Sequence, residues 1–375
     1  MNPRASGLHW LRLLTPVVAV ALAFVTVAIG LQLAGADPVH AFERMASAAL
    51  GSPFALSTTV VKTLPRLVAA LGIALALRAG LWNIGAEGQL YVGAIAATGA
   101  ALFLPRFPFP LLLLAGMFAS MVAGGLYAAL PGVLRARRGV SEVITSLMLV
   151  YVAIQLTNYL VEGPWLLPGT TFPASPIVPP ESRLPLLVPH TLLNAGAVVA
   201  ILAVALTWIM MARSTFGLQL RAVGGNERAA RASGVPVART IVLAMVASGA
   251  MAGLAGGIEV LGTRGRLIEG FSVGYGFEAI AIALLGRLQP LGITLAALLF
   301  GALDAAGAGL QTASSGVPSA IVQITSALAV VYVLVGLGLI QRADRRRSAR
   351  EAIAAAHAMP VARGATVPSG DGGAG

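Results

Sequence analysis

The sequence has no cysteine, one lysine and four histidines in 375 residues, and only 10% of it is charged. Without cysteine there is no disulfide, thiolate metal site or catalytic thiol. His9, His40, His190 and His357 lie far apart in sequence, with no second histidine at ligand spacing, so a zinc site is not expected. Lys62 follows valines and threonines rather than glycines, so the phosphate-cradling G-x-x-x-x-G-K-[ST] loop is missing. The chain therefore does not hydrolyse ATP by a P-loop. Ser248, within Ala-Ser-Gly, lacks the G-x-S-x-G elbow and a histidine base. With no catalytic constellation left, the chain reads as a non-enzyme with no cofactor of its own.

What remains is apolar: 57% of the residues are hydrophobic, where a soluble domain carries about 25% charged residues. Leu13 to Ala36 contains no basic or acidic residue, and neither does Met148 to Val161. Such runs suit a hydrocarbon core of about 30 Å crossed at about 1.5 Å per residue. In that solvent the backbone must bond to itself, which leaves helices; the alternating segments of a β-barrel are absent. The formal charge of +11 fits arginines gathered in cytoplasmic loops better than a nucleic-acid surface, since no base-stacking platform or zinc finger accompanies it. The run Leu13–Leu33 is longer than the core of a signal peptide, so it reads as a retained first span starting inside.

The expected fold is all-α: a polytopic transmembrane bundle of about ten helices with both termini cytoplasmic. The spans fall near 13–35, 63–79, 82–104, 109–134, 142–161, 190–212, 240–262, 273–287, 290–307 and 319–340. The eighth and ninth are short and separated only by Gly286–Pro290, so a single re-entrant unit is the alternative there. This layout places most of the 25 basic residues inside, with Lys62 and Arg66 among the outer ones. The transmembrane domain would run over 1–340, and 341–375 would be a basic, then disordered, cytoplasmic tail against anionic lipid.

Two outer loops are long. Residues 36–61 can hold a short amphipathic helix around Ala41–Leu50. Residues 162–189 contain eight prolines, so they should be extended.

The longest inner connection, about 213–240, contains Asn226 as an N-cap, with Glu227 at the positive end of a short helix. Gly234 ends it and Pro236 prevents continuation, while Gly224–Gly225 is expected to turn. Glu227, Arg228, Ala229, Ala230 and Gly234 resemble the E-x-A-A-x-x-x-G motif of ABC importer permeases. Small Ala229 and Ala230 would permit close packing, with Glu227, Arg228 and Arg231 at the rim.

Three further stretches extend the resemblance: GLWNIGAEGQLYVGA at 80–94, GVSEVITSLMLVYVA with the following EGPW at 139–165, and SGAMAGLAGGIEVLG running on to GFSVGYGFEAIAIALLG at 248–286. Together they are similar to the permease subunit of ABC importers for nucleosides and simple sugars. The resemblance implies a bacterial inner-membrane protein paired with a second permease, identical or related. It also implies cytoplasmic ABC ATPases holding ATP and Mg²⁺, and an extracytoplasmic substrate-binding lipoprotein.

Ionisable groups at the bilayer centre cost about 2.5–3.5 kcal/mol, so they should face a cavity or one another. Candidates for a substrate pathway are Asn83, Glu87, Gln89, Tyr91, Asn158, Glu259, Glu278 and Asp304. Asn83, Glu87 and Tyr91 share a face if their helix is unbroken. Two readings stand for Glu87: it lines a path, or it ties broken backbone to neighbouring helices. Glu142 is expected to pair with Arg138. NIGAEGQ and GYGFEAI, in the third and eighth spans, would be mates in a 5+5 inverted repeat with the site near the midplane. The competing function is a stand-alone proton-coupled transporter of small polar solutes, using Glu87 or Asp304.

Overall fold

The computed structural model describes residues 6–33, 37–104, 107–169, 172–272 and 274–312, together with 324, 327, 328, 331, 332, 335, 336 and 342. The chain divides into two compact units, residues 23–330 and residues 1–22 with 331–375. In the second unit the described residues are all helical.

The elements are α1 (Ser6–Leu33), α2 (Pro38–Leu50), α3 (Pro53–Arg78), α4 (Ala86–Phe103), α5 (Leu111–Arg138) and α6 (Glu142–Glu162). They continue with α7 (Gly196–Arg213), α8 (Thr215–Gly225), α9 (Glu227–Ala232), α10 (Val237–Ile258), α11 (Tyr275–Leu285) and α12 (Pro290–Thr312). A widened π turn, Glu259–Arg264, prolongs α10. Among the described residues there is no strand, only the isolated bridges Ala174–Ile268 and Leu186–Asn194. Among the described residues six helices are long and apolar enough to cross a membrane: α3, α5, α6, α7, α10 with its extension, and α12.

Local chemistry sets the boundaries. Asp37 and Ser52 accept the Val39 and Ala55 amide hydrogens, and Pro38 and Pro53 follow at the first helical position. α2 is the amphipathic helix expected in the first outer loop, burying Ala41, Met45 and Ala49. α3 begins ten residues before the expected boundary because Ser52–Pro53 is a complete start signal. Lys62 and Arg66 are consequently inside a 26-residue helix, not in an outer connection.

α10 is the centre of the packing, with α3, α4 and α5 around it. Its Gly249, Gly253 and Gly257 recur every four residues and form one stripe against α5. A Cβ on Gly257 would come within 2.6 Å of Ser120 Oγ, and one on Gly253 would strike the Ser120 carbonyl. Gly256, on another face, meets the α4 backbone at Leu90 and Ala94 in the same way. In hydrocarbon there is no hydrophobic gain from pairing helices, so close backbone approach supplies the dispersion attraction instead. α6 and α7 present Tyr151, Val152, Leu156, Ile201, Leu202 and Leu206 outward, as lipid-facing helices do.

Among its described residues the proline-rich segment holds one 3₁₀ turn, Pro180–Ser182, and it bonds to the chain just after the π turn: Ser175 N–H donates to Leu267 O at 2.8 Å and Val178 N–H to Gly265 O at 2.9 Å. Gly224–Gly225 does not turn; it closes α8, which docks on the end of α3. Most of the tenth expected span, 319–340, lies outside the described residues.

Candidate functional site

The segment Trp82–Gly85 is a break before α4, so Asn83 is not on a helix face with Glu87 and Tyr91. Its amide forms a reciprocal pair with Gln89: Asn83 Nδ2 donates to Gln89 Oε1 at 2.8 Å, and Gln89 Nε2 returns a bond to Asn83 Oδ1 at 2.9 Å. Asn83 Nδ2 also donates to Ser248 Oγ on α10 at 2.8 Å. Both amides are almost wholly buried. A buried amide without partners costs about 1–3 kcal/mol, so the pairing holds an irregular backbone where water is absent.

Glu87, one residue into α4, reaches across to α11. Its Oε2 accepts the Gly276 amide hydrogen at 2.6 Å, at the positive end of that helix. A Cβ on Gly276 would collide with the backbone of Ala86 and Glu87, so only glycine permits this approach. Tyr91, one turn on, donates its hydroxyl to Ser272 O at 3.2 Å and packs edge-on against Phe271. The two glycine-rich stretches singled out in the sequence therefore meet N-terminus to N-terminus. α11, at 11 residues, covers about 16 Å, roughly half of a bilayer core.

Beside them lies an ion cluster that the sequence reading missed in half of its members. Arg66 on α3 pairs through Nε with Glu278 Oε2 at 2.5 Å and through Nη2 with Asp304 Oδ2 at 3.0 Å. Lys62, one turn earlier, also reaches Asp304 Oδ2 at 3.0 Å. The Arg66 guanidinium lies over the Tyr275 ring, 4.3 Å from its centroid. The Arg66 side chain is 4% exposed, whereas Lys62, Glu278 and Asp304 are 28–31% exposed. Pro65 has no N–H to donate within α3, and Arg66 Nη1 donates to the Lys62 carbonyl at 2.7 Å. The start signal at Ser52–Pro53 would have placed both cations inside a helix at i and i+4.

Glu259 is buried and pairs with Arg264 through Oε1 at 2.9 Å; Arg264 also donates to Phe271 O at 3.3 Å. Asn158, on α6, stands apart from these groups; its Oδ1 is buried without a hydrogen bond. Outside the cluster, Arg183, Arg264 and Arg266 line a basic pocket of about 360 Å³ under the proline-rich segment.

At the opposite end, α9 has the expected design. Asn226 Oδ1 accepts from the Arg228 and Ala229 amides at 2.9 and 3.1 Å, and Gly234 follows with φ +81°. The two alanines differ: Ala230 is buried within the chain, while Arg228, Ala229 and Arg231 are exposed. Arg135, at the end of α5, bridges Glu227 at 3.0 Å and Glu142 at 3.2 Å. Glu142 thus pairs with Arg135 and not with Arg138, because Gly139 turns the chain left-handed after Arg138 and sends the two apart. Glu142 Oε1 accepts the Trp82 amide at 3.4 Å, linking α9 through Arg135 to the break before α4. Among the described residues no group of acidic or histidine side chains could hold a metal ion.

A family model described as branched-chain amino acid transport system / permease component matches residues 55–340. A glucose ABC transporter permease protein of Haloferax volcanii is 37% identical over 347 residues, covering 89% of this chain and 90% of its own. A guanosine ABC transporter permease protein of Bacillus subtilis is 36% identical, covering 86% and 92%. A nucleoside ABC transporter permease protein of Lactococcus lactis subsp. cremoris is 32% identical, covering 86% and 91%. No solved structure matches.

Proposed function

The chain belongs to the branched-chain amino acid transport system / permease component family, and from that membership we propose that it builds the translocation path of an importer for nucleosides or related simple sugars. It is a multi-pass membrane permease subunit of an ABC transporter. Energy comes from ATP and Mg²⁺ on separate cytoplasmic ATPases, and substrate arrives on an extracytoplasmic binding lipoprotein. Relatives aligned over about nine-tenths of their length support this reading over a proton-coupled transporter acting alone.

The observation that carries the path assignment is the partly exposed cluster of Lys62, Glu278 and Asp304 on α3, α11 and α12. Charges in a bilayer cannot face acyl chains without a large cost. That face therefore meets water or the second permease, identical or related. Glu87, Asn83, Gln89 and Tyr91 set the shape of the break, and Glu278 and Asp304 meet solute. Glu259 and the pocket of Arg183, Arg264 and Arg266 belong to the outer mouth. The abutting starts of α4 and α11 support an inverted repeat.

α9 is the proposed coupling helix, held by Arg135 and Ala230 while Arg228, Ala229 and Gly234 face the ATPase. Ala229→Glu should abolish ATPase association without lowering the melting temperature, since its side chain is exposed. Association unchanged in a pull-down would remove α9 from the interface. The function itself is tested in vesicles carrying the permease, its ATPases and its binding protein. Labelled nucleoside should accumulate with ATP and should not accumulate with a proton gradient alone. Uptake by the isolated chain under a proton gradient would overturn the reading.

A further inference from the structure

A cavity of about 270 Å³ opens where α7, α8 and α12 meet the end of α3, and Arg78, Trp208, Met211, Arg221, Gln289 and Leu291 line it. Its two guanidinium groups have no carboxylate: among the described residues neither Arg78 nor Arg221 forms an ion pair. Each spends one donor on backbone, Arg78 Nη2 on Leu288 O at 2.9 Å and Arg221 Nη1 on Met211 O at 2.6 Å. Arg78 Nε is buried and, among the described residues, donates to nothing. This contrasts with Arg66, Arg135 and Arg264, each of which faces acid.

Two like charges held beside one cavity, with a buried donor unused, form a site that is incomplete without an anion. The backbone is strained to build it. Arg287 and Leu288 both have positive φ, 55° and 56°, and the Leu288 carbonyl is the one Arg78 holds.

We propose that Arg78 and Arg221 bind the phosphate of an anionic phospholipid headgroup. Guanidinium forks match phosphate oxygens in pairs, which a single carboxylate-free cavity can use fully. The rim identifies lipid as the source of that phosphate. Leu291 is 73% exposed and Trp208 48% exposed, both on membrane helices, so acyl chains have apolar surface to lie along. Trp208 is the type of residue that sits at headgroup depth, and the Arg213 guanidinium, 5.7 Å from its ring, adds a third cation. The site lies beside α8, which precedes the coupling helix. The inner leaflet therefore follows from the orientation proposed above, whereas the phosphate site does not depend on it.

The test uses the full-length permease in neutral detergent and native mass spectrometry. Phosphatidylglycerol, phosphatidylcholine and inorganic phosphate are added in separate titrations. The wild type should retain one phosphatidylglycerol per chain and release phosphatidylcholine. Arg221→Ala should weaken retention about fivefold to tenfold, as loss of one cation near a headgroup implies. Arg221→Lys should restore part of it, and Leu291→Glu, which leaves both arginines in place, should weaken it by blocking the apolar rim. All three variants are checked for the wild-type elution volume, and Leu291→Glu, on an exposed residue, covers the case in which Arg221→Ala does not fold. Equal retention of both lipids overturns the proposal. So does unchanged retention in Arg221→Ala or Leu291→Glu, or a site that binds inorganic phosphate and ignores phosphatidylglycerol.

Discussion

Arg66 is the residue on which most of the intramembrane polarity depends. Its buried guanidinium neutralises Glu278 and shares Asp304 with Lys62. Removing one partner of a fully buried pair costs about 3–5 kcal/mol, but here Glu278 is partly exposed and Asp304 keeps Lys62, which lowers the cost to about 1–3 kcal/mol. Arg66→Ala should therefore destabilise the permease by that order and abolish uptake. Adding Glu278→Gln should recover part of the melting temperature but not uptake. A melting curve for Arg66→Ala that matched wild type would show that the cluster is solvated and energetically idle. At this scale the sequence was legible for acids and not for bases. Glu87, Glu259, Glu278 and Asp304 stand out in apolar runs. Lys62 and Arg66 sit near a span's expected edge, where a charge looks like loop. Only the α3 start at Ser52–Pro53 moves them inward.

Among elements, the break before α4 and the short α11 work as one unit. Each N-terminus lacks intrahelical partners for its first amides. Glu87 satisfies one of them on α11, and the Asn83–Gln89 pair closes the break on its own side. Glu87 thus bonds the start of α11 to the start of α4 in this conformation. α8 shows how finely glycine positions are set. A Cβ on Gly224 would strike the Arg78 carbonyl, whereas one on Gly225 would meet nothing within 4 Å. Gly225→Ala should raise stability by about 0.5–1 kcal/mol, because alanine loses less backbone entropy in a helix. Gly224→Ala should lower stability and loosen α8 from α3. Thermal melts of the two variants check the contrast; equal shifts would mean that α8 is not docked on α3.

For the whole molecule, the question is which surfaces lipid touches. α6 and α7 carry exposed apolar residues throughout, and the α3–α11–α12 face carries charge. The absence of cysteine makes this face easy to probe. Lys62→Cys leaves Asp304 paired with Arg66, so the fold should persist. In native membranes this cysteine should react with a charged, membrane-impermeant maleimide, and saturating substrate-loaded binding protein should change the rate. Labelling only by a lipid-soluble maleimide would place the face against acyl chains and end its assignment to the path.

Composition alone determined that this is a helical membrane protein, because apolar runs with so little charge have no other stable solvent. Local signals determined α9: Asn226, Glu227, Gly234 and Pro236 act within a few residues, so their chemistry needs no knowledge of the rest. Tertiary structure decided what could not be local. It paired Glu142 with Arg135 instead of Arg138, sent Ala230 inward and Ala229 outward, and turned Gly224–Gly225 into the end of a docked helix. It also brought Glu87 to Gly276, 189 residues away in sequence. Those choices depend on distances across the bundle. In a medium without water, a buried donor or charge gains most from a partner, and the packing of α10 decides where one stands.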